Sequence, residues 1–138
     1  MNKDLVSIIT PTYNSMSYIQ DTYESIKSQQ YEHWEWLITD DCSADDTWEY
    51  LQNIAKDDDR IKIFQNKTNS GAANSRNNSI SHAKGEFIAF LDSDDIWLPE
   101  KLAQHIAFMN KNSIQLTGIL SIYINIRHSL HVAIIYSI

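Results

Sequence analysis

Four groups of side chains have the chemistry to hold a charged small molecule. Asp92-Ser93-Asp94-Asp95 sets two carboxylates two residues apart, directly after the apolar run Glu86 to Leu91. Hard divalent cations such as Mg²⁺ and Mn²⁺ prefer carboxylate oxygen and commonly bind through one or two carboxylates completed by phosphate oxygens. An ion at this place would bridge a diphosphate and neutralise the charge that develops as it leaves. The plainer use of Asp94 and Asp95 is to cap a helix near Pro99. Asp40-Asp41 follow a second apolar run, Trp34 to Thr39. Asp41 either accepts the N3–H of a uracil or belongs to an acidic loop ahead of a helix. Tyr13 stands just past a third run, Leu5 to Thr10, as a core aromatic or as a ring that stacks on a base. Arg76 has the planar fork that suits phosphate oxygens, or pairs with a surface carboxylate.

The elements that must position these groups alternate regularly. Strand-like runs are expected at Leu5 to Thr10, Trp34 to Thr39, Ile61 to Phe64 and Glu86 to Leu91. Between them lie helical patterns. The first runs from Ser17 to Gln29, with Ser17 and Gln20 as a capping box and Ile19, Tyr23 and Ile26 on one face. The second opens at Asp45 and Asp46, whose charges suit a helix N-terminus. The third covers Ala72 to Ala83 and ends at Gly85; a fourth follows Pro99. Strand and helix in alternation imply right-handed βαβ crossovers and a doubly wound, mostly parallel sheet. Ligands of such sheets bind outside the carboxyl ends of the strands. All four polar groups fall on that rim.

Composition narrows the partners. The chain has 138 residues, 43% of them hydrophobic, enough for one core, and a net charge of -7. An acidic chain is a poor match for nucleic acid, and a bound cation would reconcile it with an anionic ligand. The single cysteine, Cys42, excludes an internal disulfide framework and reads as a small turn residue. With no signal-like segment at the N-terminus, the expected location is cytoplasmic, extending to the inner face of the membrane. Three glycines, Gly71, Gly85 and Gly118, cannot build a GxGxxG fingerprint or a Walker A loop. Trp34, Trp36, Trp48 and Trp97 read as core. The Ile-rich segment 114–138 alternates at Ile122, Ile124 and Ile126, then at Val132, Ile134, Tyr136 and Ile138, around a turn at Arg127-His128-Ser129. A hairpin or an extra strand pair is expected there, with an apolar edge that invites a homodimer. His128 and His131 read as part of a solvated turn.

Taken together, Val6 to Asn14 (VSIITPTYN), Asp40-Asp41-Cys42-Ser43 with Asp45-Asp46-Thr47, Asn69-Ser70-Gly71 with Ser75-Arg76-Asn77, and Phe90 to Asp95 (FLDSDD) with Trp97 and Pro99 resemble the family 2 glycosyltransferases of the GT-A fold. The resemblance covers about residues 4 to 110. It implies inverting sugar transfer from a nucleotide diphosphate donor, often a UDP-sugar, to a glycan or other hydroxyl acceptor, with Mn²⁺ or Mg²⁺. Position by position, it implies that Pro11 and Tyr13 flank the base and Asp41 binds its edge. Arg76 would lie near the nucleotide, Asp92 near the ribose with Ser93 beside it, and Asp94 on the metal. Ser79 departs from the glycine frequent after Ser-Arg-Asn. Family members also continue well past this length, carrying the acceptor site and the general base. The expectation is therefore a nucleotide-sugar-binding domain over 1–113 and a tail over 114–138, lacking the acceptor half, with a nucleotide-sugar-binding fragment without catalysis as the alternative. A phosphatase of the haloacid dehalogenase type is disfavoured because its nucleophile follows the first strand, not the fourth.

Overall fold

The computed structural model describes residues 2–112, 116–117 and 133–135. The elements in chain order are β1 (Asn2–Thr12), α1 (Ile19–Lys27), β2 (Trp34–Asp40), α2 (Thr47–Asp57), β3 (Ile61–Gln65), α3 (Ala72–Ser81), β4 (Gly85–Phe90), α4 (Lys101–Asn112), β5 (Leu116–Thr117) and β6 (Ala133–Ile135). They form one sheet in the order β3-β2-β1-β4-β6-β5, and every neighbouring pair is parallel. Parallel neighbours need crossovers, and α1, α2 and α3 supply them for the first four strands. The chain moves outward from β1 to β3 and then returns across β1 to β4. The strand order therefore reverses between β1 and β4, the place where an open α/β sheet leaves a crevice at its carboxyl edge.

Period-two alternation sorts the side chains onto two faces. Val6, Ile8, Trp34, Trp36, Ile38, Phe87, Ala89 and Leu91 join Ile19, Tyr23 and Ile26 of α1, Leu51 of α2, and Leu102, Ile106 and Met109 of α4 in the larger core. Ile9, Leu37, Ile88 and Phe90 form the smaller core with Ile80 and Ala83 on the opposite face. Trp34, Trp36 and Trp97 are buried and Trp48 packs against the larger core, as the sequence indicates. Inside that core Trp36 stacks on Tyr23 at 5.6 Å and gives its indole N–H to Thr10 Oγ1 at 2.8 Å. The buried polar atom is thereby satisfied.

Several boundaries differ from the sequence reading, each for a local reason. β1 runs on through Pro11 to Thr12, because parallel pairing with Thr39 and Asp40 extends that far. The capping box does not form. Helix α1 starts at Ile19, and the Ser15 carbonyl accepts the N–H groups of Tyr18 and Ile19, which leaves Ser17 within the preceding turn. Gly85 does not terminate α3, which ends at His82 in a right-handed conformation; it opens β4. Its lack of a side chain matters there, because a Cβ would stand 2.5 Å from the Leu5 carbonyl oxygen and 2.7 Å from Ser7 Oγ. Ser7 Oγ in turn accepts the Gly85 N–H and donates to buried Glu35, knitting β1, β2 and β4 together.

The tail contributes the strand pair, not a hairpin. β6 pairs with β4 and β5 pairs with β6, both in parallel, so these two strands extend the sheet beyond β4. The alternating run Ile122 to Ile126, the turn at 127–129 and His131 lie outside the described residues. Among the described residues no helix is long and apolar enough to cross a membrane.

Candidate functional site

A cleft of about 230 Å³ opens at the carboxyl edge where the strand order reverses, lined by Pro11, Thr12 and Tyr13 after β1, Asp41 after β2, Ala72, Ser75 and Arg76 of α3, and Asp92, Ser93 and Asp94 after β4. All seven site residues expected from the sequence line this one cavity. Tyr13 is half exposed, with its ring free to receive a flat partner, and is not part of the core. The turn that carries it is bolted to the β2 exit. Asn14 adopts φ 48°, donates its N–H to Ser43 Oγ at 2.9 Å and accepts the Ala44 N–H on its side-chain oxygen at 2.8 Å.

Asp41 is only 3% exposed, and its carboxylate is engaged by the loop after β3. Oδ1 accepts Asn66 Nδ2 at 2.7 Å, the Ser70 N–H at 2.9 Å and Ser70 Oγ at 3.1 Å. Oδ2 accepts the Gly71 N–H at 2.7 Å and shares the Ser70 N–H at 3.1 Å. Burial pushes the Asp41 pKa up, but the donors from Asn66, Ser70 and Gly71 outweigh it and hold the group down to about 2. Gly71 reaches this position with φ 89°, which a side chain would strain. Cys42, at φ 67° and exposed, turns the chain away after Asp41 and is the small turn residue the sequence suggests. A carboxylate has about four lone-pair positions. The four donors match those positions, and Oδ2, which shares one of its two donors with Oδ1, is the less crowded oxygen.

At the other end of the cleft, Arg76 and Asp92 are paired, Nη2 to Oδ1 at 2.5 Å. Arg76 Nε is buried beside this pair without a partner. Asp95 follows closely, and its pKa is raised, first by partial desolvation and then by the charges of Asp92 and Asp94. Its side chain remains exposed, so water screens much of that repulsion. Among the described residues no group of three or more His, Cys, Asp or Glu side chains forms a cage for an ion. Asp94, exposed at the strand exit, with Asp92 beside it on Arg76, instead matches the donor set of an ion completed by phosphate oxygens.

The sequence singled out the carboxylates but not what orients them. Ser70 and Gly71 enter as part of the motif Asn69-Ser70-Gly71 and Asn66 has no signal of its own, and nothing in their spacing marks them as partners of Asp41. Asp45 is placed better than expected. Its carboxylate accepts the Thr47 N–H at 3.0 Å and the Met16 N–H at 3.2 Å, so it opens α2 and holds the turn after β1 as well.

A parallel α/β sheet with this charged cleft at its switch point is a GT-A type domain. The chain belongs to glycosyl transferase family 2, whose model matches residues 7–131. It is 48% identical over 111 residues to TuaG of Bacillus subtilis, a glycosyltransferase named for teichuronic acid biosynthesis, covering 80% of this chain and 44% of that one. It is 45% identical over 114 residues to WfgD of Escherichia coli, a UDP-Glc:alpha-D-GlcNAc-diphosphoundecaprenol beta-1,3-glucosyltransferase, covering 83% and 44%. Among solved structures it resembles S. aureus TarS 1-349 in complex with UDP, with a TM-score of 0.75 and 35% identity over 80% of this chain and 34% of that one. TarS 1-349 has also been solved with UDP-GlcNAc. The chain spans less than half the length of these relatives.

Proposed function

We propose that this chain is the donor-binding part of an inverting glycosyltransferase that takes a UDP-sugar and delivers the sugar to a glycan hydroxyl. The observation that carries this reading is the convergence of groups after β1, β2 and β4, with Arg76 of α3, on one cleft. Pro11 and Tyr13 border the base, and Tyr13 offers its exposed ring for stacking. Asp41 Oδ2 accepts the uracil N3–H, with its orientation already set by Ser70 and Gly71. A guanine or cytosine edge presents a different donor pattern to the same acceptor. Asp92 meets the ribose with Ser93 beside it, and Arg76 turns its fork to the phosphates. Asp94 holds a divalent ion, Mn²⁺ or Mg²⁺, which would supply charge neutralisation for the departing diphosphate.

The similarity to a UDP-bound structure and to a glucosyltransferase that uses UDP-Glc supports the choice of nucleotide. The acidic balance of the chain supports the cation. Titration calorimetry with UDP-, GDP- and CDP-sugars, with and without Mn²⁺, tests the proposal. The UDP-sugar should bind tightest and only with metal at full strength. Equal affinity for all three, or indifference to Mn²⁺, would overturn it.

A further inference from the structure

The loop that carries Asp92, Ser93 and Asp94 has no regular structure of its own, yet it is fixed from below by helix α1. Thr22, fully buried in the middle of α1, donates its hydroxyl to the Ser93 carbonyl at 2.9 Å. The competing acceptor on its own helix, the Tyr18 carbonyl, is further away at 3.4 Å. A hydroxyl has one proton, and the shorter contact takes it. Ser15, just before α1, lies 2.8 Å from Ser93 Oγ and 3.2 Å from the Tyr13 carbonyl. If the Ser15 proton goes to the carbonyl, which cannot donate, the Ser93 hydroxyl donates to Ser15. The Ser15 N–H is itself held by Thr47 at the start of α2, at 2.9 Å. Just past the C-terminal end of α1, Gln29 donates to the Leu98 carbonyl at 2.8 Å and accepts the Leu102 N–H at 3.1 Å.

Helix α1 and the residues flanking it thus hold the segment 93–102 at both ends, and the hold on the acidic loop passes through Ser93, midway between the two carboxylates. We infer that Thr22, assisted by Ser15, is a positioning residue that fixes the spacing of Asp92 and Asp94 for a divalent ion and a diphosphate. This inference rests on the metal-binding reading of Asp94 given above. Thr22 touches neither ligand nor ion. Its effect comes from preventing the Ser93 peptide from turning, which would swing the flanking carboxylates apart. Partners bonded directly to a ligating side chain change metal affinity roughly 10–100-fold, and a contact one residue removed is expected at the lower end, about 10-fold.

The test is calorimetric titration of UDP at a series of Mn²⁺ concentrations. Thr22→Val keeps the shape of the side chain and removes the donor; the Mn²⁺ concentration giving half of the full gain in UDP affinity should rise on the order of 10-fold. Thr22→Ser, which restores the hydroxyl, should return it to the parent value. Binding of uridine, which has no diphosphate, should be the same in all three proteins. An unchanged Mn²⁺ midpoint in Thr22→Val, or no recovery in Thr22→Ser, would overturn the inference while leaving the metal-binding reading intact. A parent protein whose UDP affinity ignores Mn²⁺ would overturn both. Should Thr22→Val fail to fold, Ser15→Ala decides: a smaller shift in the same direction supports the inference, and no shift refutes it.

Discussion

The two ends of the cleft are built on opposite electrostatic plans. At the β2 exit, Asp41 is buried and supplied with donors from Asn66, Ser70 and Gly71, so its charge is settled by the fold itself. At the β4 exit, Asp92, Asp94 and Asp95 crowd together, Arg76 answers only Asp92, and Asp95 is destabilised as an anion. One end is complete without a ligand; the other has carboxylates in excess of its cations. On the proposed reading, this difference lets a single cleft combine a rigid contact for a neutral ring with a site whose affinity depends on a second component. Electrostatic completion is inexpensive where backbone N–H groups can be aimed at a carboxylate, as in the loop at 70–71. An open rim that, on the proposed reading, also receives phosphates cannot be finished that way.

Removing Asp94 should break this contrast most severely. In Asp94→Ala the gain in UDP affinity on adding Mn²⁺ should disappear, whereas uridine binding should not change; calorimetry with both ligands reads the two ends separately. Metal-linked affinity that persists in the variant would reassign the ligand.

Asp41→Asn attacks the finished end and should have the next largest effect. Losing a hydrogen bond to a charged acceptor costs about 1.5–3 kcal/mol, so UDP should bind roughly tenfold or more weakly, equally with and without Mn²⁺. The same carboxylate should leave a mark on stability. Its folded pKa of about 2 lies below the ordinary 3.8, so its contribution is fully present above pH 3.8 and is lost as pH falls through that window toward 2. The shift corresponds to about 2 kcal/mol, and water in the open cleft would reduce this to about 1 kcal/mol. Urea denaturation at pH 7 and near pH 2 should show the parent losing this margin and Asp41→Asn lacking it throughout. A parent and variant that lose stability in parallel across the window would show that the loop donors do not hold the carboxylate.

Asp95→Asn should give the smallest effect and the opposite sign. Removing one of three crowded charges should raise the melting temperature of the metal-free chain slightly, and the gain should shrink when Mn²⁺ and UDP are added. A lower melting temperature would mean that Asp95 is held by a favourable contact and not opposed by its neighbours.

The sequence exposed the parts of this arrangement that have a local signature. Apolar runs ending in acidic pairs mark the exits of β2 and β4, and alternating order marks the parallel sheet; seven of the ten residues lining the cleft are singled out in the sequence as site residues, and Thr12, Ala72 and Ser75 are not. What could not be read were bonds that depend on the path of the chain. Thr22 and Ser93 are 71 residues apart, and neither has a spacing that betrays the other. The grip of Asn66, Ser70 and Gly71 on Asp41 likewise exists only because β3 lies beside β2. Gly85 was visible as a glycine but not its reason, which is a neighbouring strand and not a helix end. Period two at Ile134 indicated a strand, but periodicity carries no information about the direction of its partner.

The central claim is that base recognition is complete without metal and diphosphate recognition is not. It is tested most directly by measuring uridine and UDP affinity on the same protein, each with and without Mn²⁺. The account predicts that uridine binds with the same affinity in both conditions and that UDP gains at least about tenfold, 1.4 kcal/mol, on adding the ion. Equal gains for both ligands, or none for UDP, would contradict it.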